Sequence, residues 1–182
     1  MFREIKVVSY NPDWPRQYQV EADRITGSLG ENVLAVHHIG STAIPGMDAK
    51  PTIDILLVVE AHAVLDASQQ AMKALGYIPK GENGIPGRRY FVRLAGQVHR
   101  FHLHVFEEGH QEVERHLLFR DYLRSHPKDA QAYGRLKLKL AEQFPYDPEG
   151  YTEAKTDFIR KVDQHAAAWL HSLSQREHGP VS

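Results

Sequence analysis

Residues 36–60, VHHIGSTAIPGMDAKPTIDILLVVE, decide how the chain is read. They join two apolar runs rich in β-branched residues, VLAVHHI (33–39) and PTIDILLVVE (51–60), which read as strands. The second run is apolar on both faces apart from Thr52 and Asp54, the pattern of a buried strand. Strand alternation puts Asp54, Leu56 and Val58 on one face and Ile53, Ile55, Leu57 and Val59 on the other. A carboxylate in such a strand is costly to bury unless it is paired or bound to a cation. Asp54 is therefore read either as a functional ligand or as an acceptor that holds the preceding loop. That loop begins with Gly40-Ser41-Thr42, whose backbone N–H groups and hydroxyls suit a small phosphate nest. Lys50 stands at the mouth of the second strand, the best placed cation to neutralise phosphate charge.

Moving toward the C-terminus, 89–95 and 100–106 read as two adjacent strands of a hairpin, preceded by the loop GENGIPG. In FHLHVF, His102 and His104 lie two apart and share one face, while Phe101, Leu103 and Val105 point the other way, toward the core. With Asp54 they make a two-histidine, one-carboxylate set, which suits a transition metal better than Mg²⁺. His38 is expected to join from beyond the Gly-Ser turn, whereas His37 points oppositely and reads as structural. The plainer alternative is a pair of half-buried histidines on a solvated sheet face. Arg88, Arg89, Arg100 and Lys155 flank these elements; facing the Gly-Ser loop and lying in solvent are equally open to them. RLKLKL (135–140) reads as the exposed side of an amphipathic helix.

The remaining elements frame this centre. IKVVS (5–9) reads as a short strand, and NPDWP as a turn with Asp13 as helix cap. Tyr18, Ala22, Ile25 and Leu29 then mark one face of a helix over 14–29, stopped at Gly30. AHAVLDASQQAMKALGY gives a helix ending near Gly76, and 77–79 a brief strand. Helices are expected at 111–125, 127–143 and 150–173, separated by Pro127 and FPYDPEG. Their aromatic and leucine positions read as core. Tyr151, Thr152 and Lys155 are the exception, expected to open a helix whose N-terminus favours anions and closes one side of the cleft. The expected organisation is one α/β (α+β) domain: an α/β core over about 1–110, a helical section over 111–174 and a frayed tail over 175–182.

Composition narrows the function classes. The chain has 182 residues, 42% hydrophobic and 25% charged, with a formal net charge of −1. That is ordinary for a soluble globular protein and argues against a duplex nucleic-acid surface. With no cysteine, disulfides, thiolate chemistry and finger-type zinc sites are excluded. No apolar run approaches the ~18 residues of a membrane span, and the first residues carry no apolar leader core, so the expected location is the cytoplasm.

A Gly-Ser turn separated by twelve residues from a strand aspartate resembles the nucleotidyltransferase superfamily signature. In that superfamily the turn holds nucleotide phosphates and an Asp-hydrophobic-Asp strand holds divalent metal. Here the second acidic position is Leu56, so Asp54 stands without its usual partner. A narrower resemblance runs from about residue 5 to about 165. SYNPDWPRQYQVEADRI, HHIGSTAIPG, AKPTIDILLVV, FHLHVFEEG, LLFRDYLRSHPKDAQAYGRLKLKLA and YTEAKTDFI look like the GrpB family. The resemblance implies a nucleotidyltransferase-like mixed sheet flanked by helices, and a family sometimes fused to a dephospho-CoA kinase. Two functions follow as expectations. One is a nucleotidyl or phosphoryl transferase. In it Gly40, Ser41, Thr42, Lys50, Arg89, Arg100 and Lys155 hold phosphate, Asp54 and Lys50 are catalytic, and Asp54, His102, His104 and His38 bind Mg, Mn or Zn. The other is a non-catalytic module that binds a nucleotide, a phosphorylated small molecule or a CoA-related ligand. A metal-dependent hydrolase is a more distant third.

Overall fold

The structure is a computed structural model that describes residues 4–61, 63, 66 and 69–177. Its centre is a five-stranded mixed sheet of order β1-β2-β5-β4-β3. The strands are β1 (Val33–Ile39), β2 (Ile53–Val59), β3 (Tyr77–Pro79), β4 (Arg89–Ala95) and β5 (Val98–Glu107). β2 runs parallel to β5, and the other pairings are antiparallel. β4 and β5 form the expected hairpin, with Ala95 opposite Val98 and only Gly96–Gln97 between them. Pro79 lies in the edge strand β3, where its missing N–H costs nothing.

Alternation along β2 and β5 divides the sheet into two chemically different faces. Ile53, Ile55, Leu57 and Val59 join Phe101, Leu103 and Val105 in one buried cluster. Helix α1 (Trp14–Leu29) covers it with Trp14, Ile25 and Leu29, and Met72 of α2 (Gln69–Ala74) completes it. The opposite face carries Asp54, Leu56, His102, His104 and Phe106 and is roofed by the helical section. This consists of α3 (Gln111–Ser125), α4 (Pro127–Gln143), α5 (Pro148–Glu153) and α6 (Thr156–Glu177).

The loop between β1 and β2 ties the two halves together. Ile44 and Met47 pack with Tyr122, Leu123, Ala130 and Tyr133, so the helical core is completed by residues of the α/β half. Two α3 guanidiniums hold the end of β1 and this loop by their carbonyls: Arg120 donates to His38 O at 3.1 Å and Arg124 to Ala43 O at 2.9 Å. Among the described residues no helix is long and apolar enough to cross a membrane.

Several expected elements differ in detail. Residues 5–9 form a single bridge, Val8 with Ala49, and no strand. Asp13 occupies the cap position of α1, but its carboxylate binds the Arg16 and Gln17 side chains at 2.7 and 2.8 Å instead of a backbone N–H. The expected helix 150–173 is two helices. Asp147 caps α5 through Gly150 N at 2.9 Å, and Pro148 fits its first turn. The chain then leaves α-helical bonding at Ala154–Lys155, where Lys155 N bonds Thr152 O in a tighter turn. Of the helix expected over 61–77, residues 62, 64, 65, 67 and 68 lie outside the described residues, as do 178–182 of the tail.

Candidate functional site

The polar residues of the opening stretch converge because the strand register requires it. Asp54 is the pairing partner of His102, and Leu56 of His104, so the carboxylate and both imidazoles emerge side by side. His102 Nδ1 and His104 Nε2 each lie 3.2 Å from Asp54 Oδ1. The other oxygen, Oδ2, sits against Gly40: a Cβ built there falls 2.7 Å from it. Gly40 also has φ +70°, a conformation costly for any other residue. The glycine is thus required twice, by the turn and by the carboxylate that packs on it.

The hydrogen-bond pattern fixes the ring protons. Arg88 Nη1 contacts His104 Nδ1 at 3.2 Å, and a guanidinium can only donate. His104 Nδ1 is therefore the lone-pair nitrogen, and Nε2–H donates to Asp54. An ionised Asp54 can only accept, so His102 Nδ1–H donates as well, and His102 Nε2 accepts from His99 Nδ1 at 2.9 Å. Arg88 is itself buried; it donates to Glu82 O and Asn83 O at 3.0 and 2.6 Å and lies over the Tyr90 ring. Burial alone would raise the Asp54 pKa, but the hydrogen bonds donated by His102 and His104 outweigh it and hold the carboxyl well below its usual range. Burial pushes His104 down, against the pull of Asp54.

Around this relay opens a cavity of about 350 Å³. Gly40, Ser41, Thr42 and Lys50 line one wall, Asp54, His102 and His104 the floor, and Lys137, Tyr151 and Lys155 the helical wall. The Lys50 and Lys155 ammonium groups lie 5.0 and 4.4 Å from the centre of the Tyr151 ring. Lys137 is 3% exposed, lies 4.7 Å from the Tyr133 ring centre and donates to Asp48 O. Burial and then the charge of Lys155 bring its pKa down to about 7. Burial and then Lys50 bring Lys155 down to about 8. Arg115 also lines the cavity but is neutralised by Glu112 and Asp163 at 2.7 and 3.3 Å. The lining thus carries three lysines and a neutralised arginine against one unneutralised carboxylate, Asp54.

Of the residues singled out from sequence, Gly40, Ser41, Thr42, Lys50, Asp54, His102, His104 and Lys155 are brought together. Three are not. His38 pairs with Ile55 on the α1 face of the sheet, stacks on Tyr18 at 4.7 Å and bonds Thr42 Oγ1 at 2.9 Å. Strand alternation turns it away from Asp54, and burial lowers its pKa to about 4. Arg89 reaches Asp66, and Arg100 reaches Gln17 on α1 at 2.9 Å; neither enters the cavity. The Ser41–Ala43 segment is a single 3₁₀ turn whose Ala43 N–H already bonds Gly40 O, so the phosphate nest is smaller than expected.

The pattern RLKLKL puts Lys137 on a solvated helix side, whereas the structure buries it. It falls four residues after Tyr133 and three before Leu140, on the buried stripe, and that spacing was the available signal. Arg88 was named only among the flanking cations; its place two residues before Tyr90 puts it on the His104 face.

The chain matches the family described as GrpB protein over residues 4–165. It belongs to the GrpB family. It is 43% identical over 167 residues to the UPF0157 protein YqkA of Bacillus subtilis, covering 92% of this chain and 48% of that one, so it spans about half of that relative's length. It is 28% identical over 193 residues to a protein named dephospho-CoA kinase from Mycolicibacterium paratuberculosis, covering 92% of this chain and 47% of that one. Among solved structures, GrpB from Enterococcus faecalis superposes with a TM-score of 0.84 at 40% identity, covering 88% of this chain and 96% of that one. Terminal uridylyl transferase 4 from Trypanosoma brucei, solved with bound dUTP, superposes with a TM-score of 0.54 at 11% identity, covering 93% of this chain and 56% of that one. The GrpB chain therefore has a nucleotidyltransferase-like fold.

The divalent metal that such a fold implies can be tested against the donor set. Among the described residues no group of three or more His, Cys, Asp or Glu is arranged to hold a metal ion. Leu56, at the second acidic position, is fully buried in an apolar cluster with Ile39 and Phe106. A cation shared by Asp54, His102 and His104 would need His102 Nδ1 and His104 Nε2 as lone pairs. For His104 this moves the hydrogen to Nδ1, opposite a guanidinium N–H. In this arrangement the residues do not fit a metal centre.

Proposed function

We propose that this GrpB-family chain binds a nucleotide or another phosphorylated small molecule in the cavity between sheet and helical section. The observation that carries the reading is the convergence of Lys50, Lys137 and Lys155 on a cavity whose one unneutralised carboxylate is Asp54. The depressed pKa values of Lys137 and Lys155 mean that positive charge is held there at a cost, which an anion relieves. A cavity of this size accommodates a small ligand and not a duplex. The relatives named dephospho-CoA kinase make CoA-related phosphates one candidate class, and a small-molecule partner is consistent with a cytoplasmic protein. A thermal-shift screen of nucleotides, CoA and pyrophosphate against the unphosphorylated nucleosides tests the reading. A ligand at ~100 Kd adds roughly 2.7 kcal/mol of stability. Equal response, or none, to phosphorylated and unphosphorylated compounds sinks it.

A second reading, a nucleotidyl or phosphoryl transferase, is favoured by one observation: Asp54 is held ionised by two donated imidazole bonds at the cavity floor. In that reading Asp54 orients an acceptor hydroxyl, and Lys50 offsets charge developing on phosphate. Incubation with labelled nucleoside triphosphates, read as release of pyrophosphate (nucleotidyl transfer) or of nucleoside diphosphate (phosphoryl transfer) that is lost in Asp54→Asn, separates it from simple binding.

A further inference from the structure

We infer that the lysines of the helical wall hold the ligand's phosphate charge directly, in place of a divalent cation, so that this chain takes its phosphorylated ligand metal-free. The inference rests on the phosphate-binding reading above and adds how the charge is met. Three observations lead to it, the first two separate from those that carry that reading.

The first is the tautomer lock. Arg88 Nη1 fixes His104 with its hydrogen on Nε2, directed at Asp54, and Arg88 is itself held by the Glu82 and Asn83 carbonyls. Both imidazoles thereby present donors, not lone pairs, to the carboxylate. The second is Leu56, whose place in the apolar cluster under α3 leaves Asp54 as the one carboxylate of the floor. That carboxylate is already engaged: Oδ1 accepts both imidazole bonds and Oδ2 packs on Gly40, which leaves little of it to hold Mg²⁺.

The third is the charge opposite. Lys137 and Lys155 come from α4 and from the α5–α6 break, and Lys50 from the loop before β2, so three separate segments deliver lysines to one cavity. Lys137 is fixed by Asp48 O and the Tyr133 ring, and Lys155 by the Tyr151 ring, which preorganises them without neutralising them. The buried Tyr151 hydroxyl finds no partner among the described residues, an expense that phenylalanine at the same place would avoid. The two ammonium groups of the helical wall face a floor with one carboxylate, so the complementary ligand carries negative charge on phosphate, as a phosphoryl dianion or a diphosphate does.

The test is calorimetric titration of the full chain with inorganic pyrophosphate and with inorganic phosphate, first in EDTA and then with saturating Mg²⁺ or Mn²⁺. The expected result is binding in EDTA that added cation does not tighten. Lys137→Met and Lys155→Met, each confirmed folded by circular dichroism, weaken it tenfold or more. In parallel, the ¹⁵N shifts of His104 report its Nε2–H tautomer, unchanged when Zn²⁺ is added. Binding of pyrophosphate or of a nucleotide only with a divalent cation, or loss of the Nε2–H signal on adding Zn²⁺, overturns the metal-free inference but leaves the phosphate-binding function standing. Binding in EDTA that both lysine variants retain also overturns it. No binding of any phosphorylated compound, with or without cation, overturns both.

Discussion

Both faces of the sheet bury charge, and they treat it oppositely. On the α1 face, Glu21 is 2% exposed and fully answered. Arg24 donates to it at 2.8 Å, Tyr77 OH at 3.0 Å, and Arg93 completes the set. On the other face, the cations of the cavity wall outnumber the carboxylates, and two of the three lysines sit well below their ordinary pKa. A buried charge with its full set of partners closes a structure. One held without full compensation raises the energy of the empty state and leaves it to be lowered by a ligand. The contrast makes the first face scaffold and the second site.

The sharpest way to break this contrast is Glu21→Ala. It leaves Arg93 and the Tyr77 hydroxyl without their common acceptor, and removal of one member of a buried ionic set costs about 3 kcal/mol or more. Urea denaturation should register that loss while pyrophosphate affinity, measured well below the new midpoint, stays within twofold. Next comes Gly40→Ala. It forces a side chain into φ +70° and against Asp54 Oδ2, a cost of about 1–3 kcal/mol, and should weaken ligand binding at the same time because the carboxylate must move. Joint loss in denaturation and calorimetry is the expected outcome, and an unchanged midpoint would show that the loop and carboxylate do not depend on each other.

Lys137→Met should act in the reverse sense on stability and function. A lysine whose folded pKa is lowered makes its penalty felt below that pKa, where both states carry the proton. The penalty fades as pH rises toward 10.5, where both states are neutral. Below about pH 7, therefore, the methionine variant should be more stable than wild type by ~1–2 kcal/mol, less than the full shift because the bond to Asp48 O is lost as well. Thermal unfolding at pH 6 and pH 10 checks the sign: the gap should narrow at the higher pH. Smallest of all is Arg89→Ala. Arg89 meets Asp66 at the surface, so stability should change by no more than about 0.5 kcal/mol and affinity not at all. A tenfold loss of affinity there would return Arg89 to the site.

How much of this was legible beforehand follows from the range of each interaction. Period-two alternation depends only on neighbouring residues, so the two faces of β2 and the shared face of His102 and His104 could be read directly. The single helical face of α1 was legible for the same reason. The long ordered motifs gave the family and, with it, the fold.

What alternation does not supply is which way a strand's face turns once it is paired. His38 sits two residues before the loop, and only the register Ile39 to Asp54 shows that it belongs to the α1 side. Arg89 and Arg100 had the right charge and the right neighbourhood in sequence, but their reach was set by partners on α2-side and α1 segments far along the chain. Lys137 was the reverse case. Its position on the buried stripe was written in the sequence, yet a lysine there is so costly that the solvated side is the natural reading. Only the approach of α4 to the loop at Asp48 makes its burial intelligible.

The sequence by itself therefore determined most of the elements, the family and the group of Gly40, Asp54, His102 and His104, because strand period and turn chemistry are local. The tertiary structure alone decided that Arg88 fixes the His104 tautomer and that Lys137 faces the same cavity as Asp54. Both depend on contacts between segments distant in the chain, 16 residues apart for Arg88 and His104 and 89 for Lys137 and Asp48, where packing and not sequence spacing sets which groups meet.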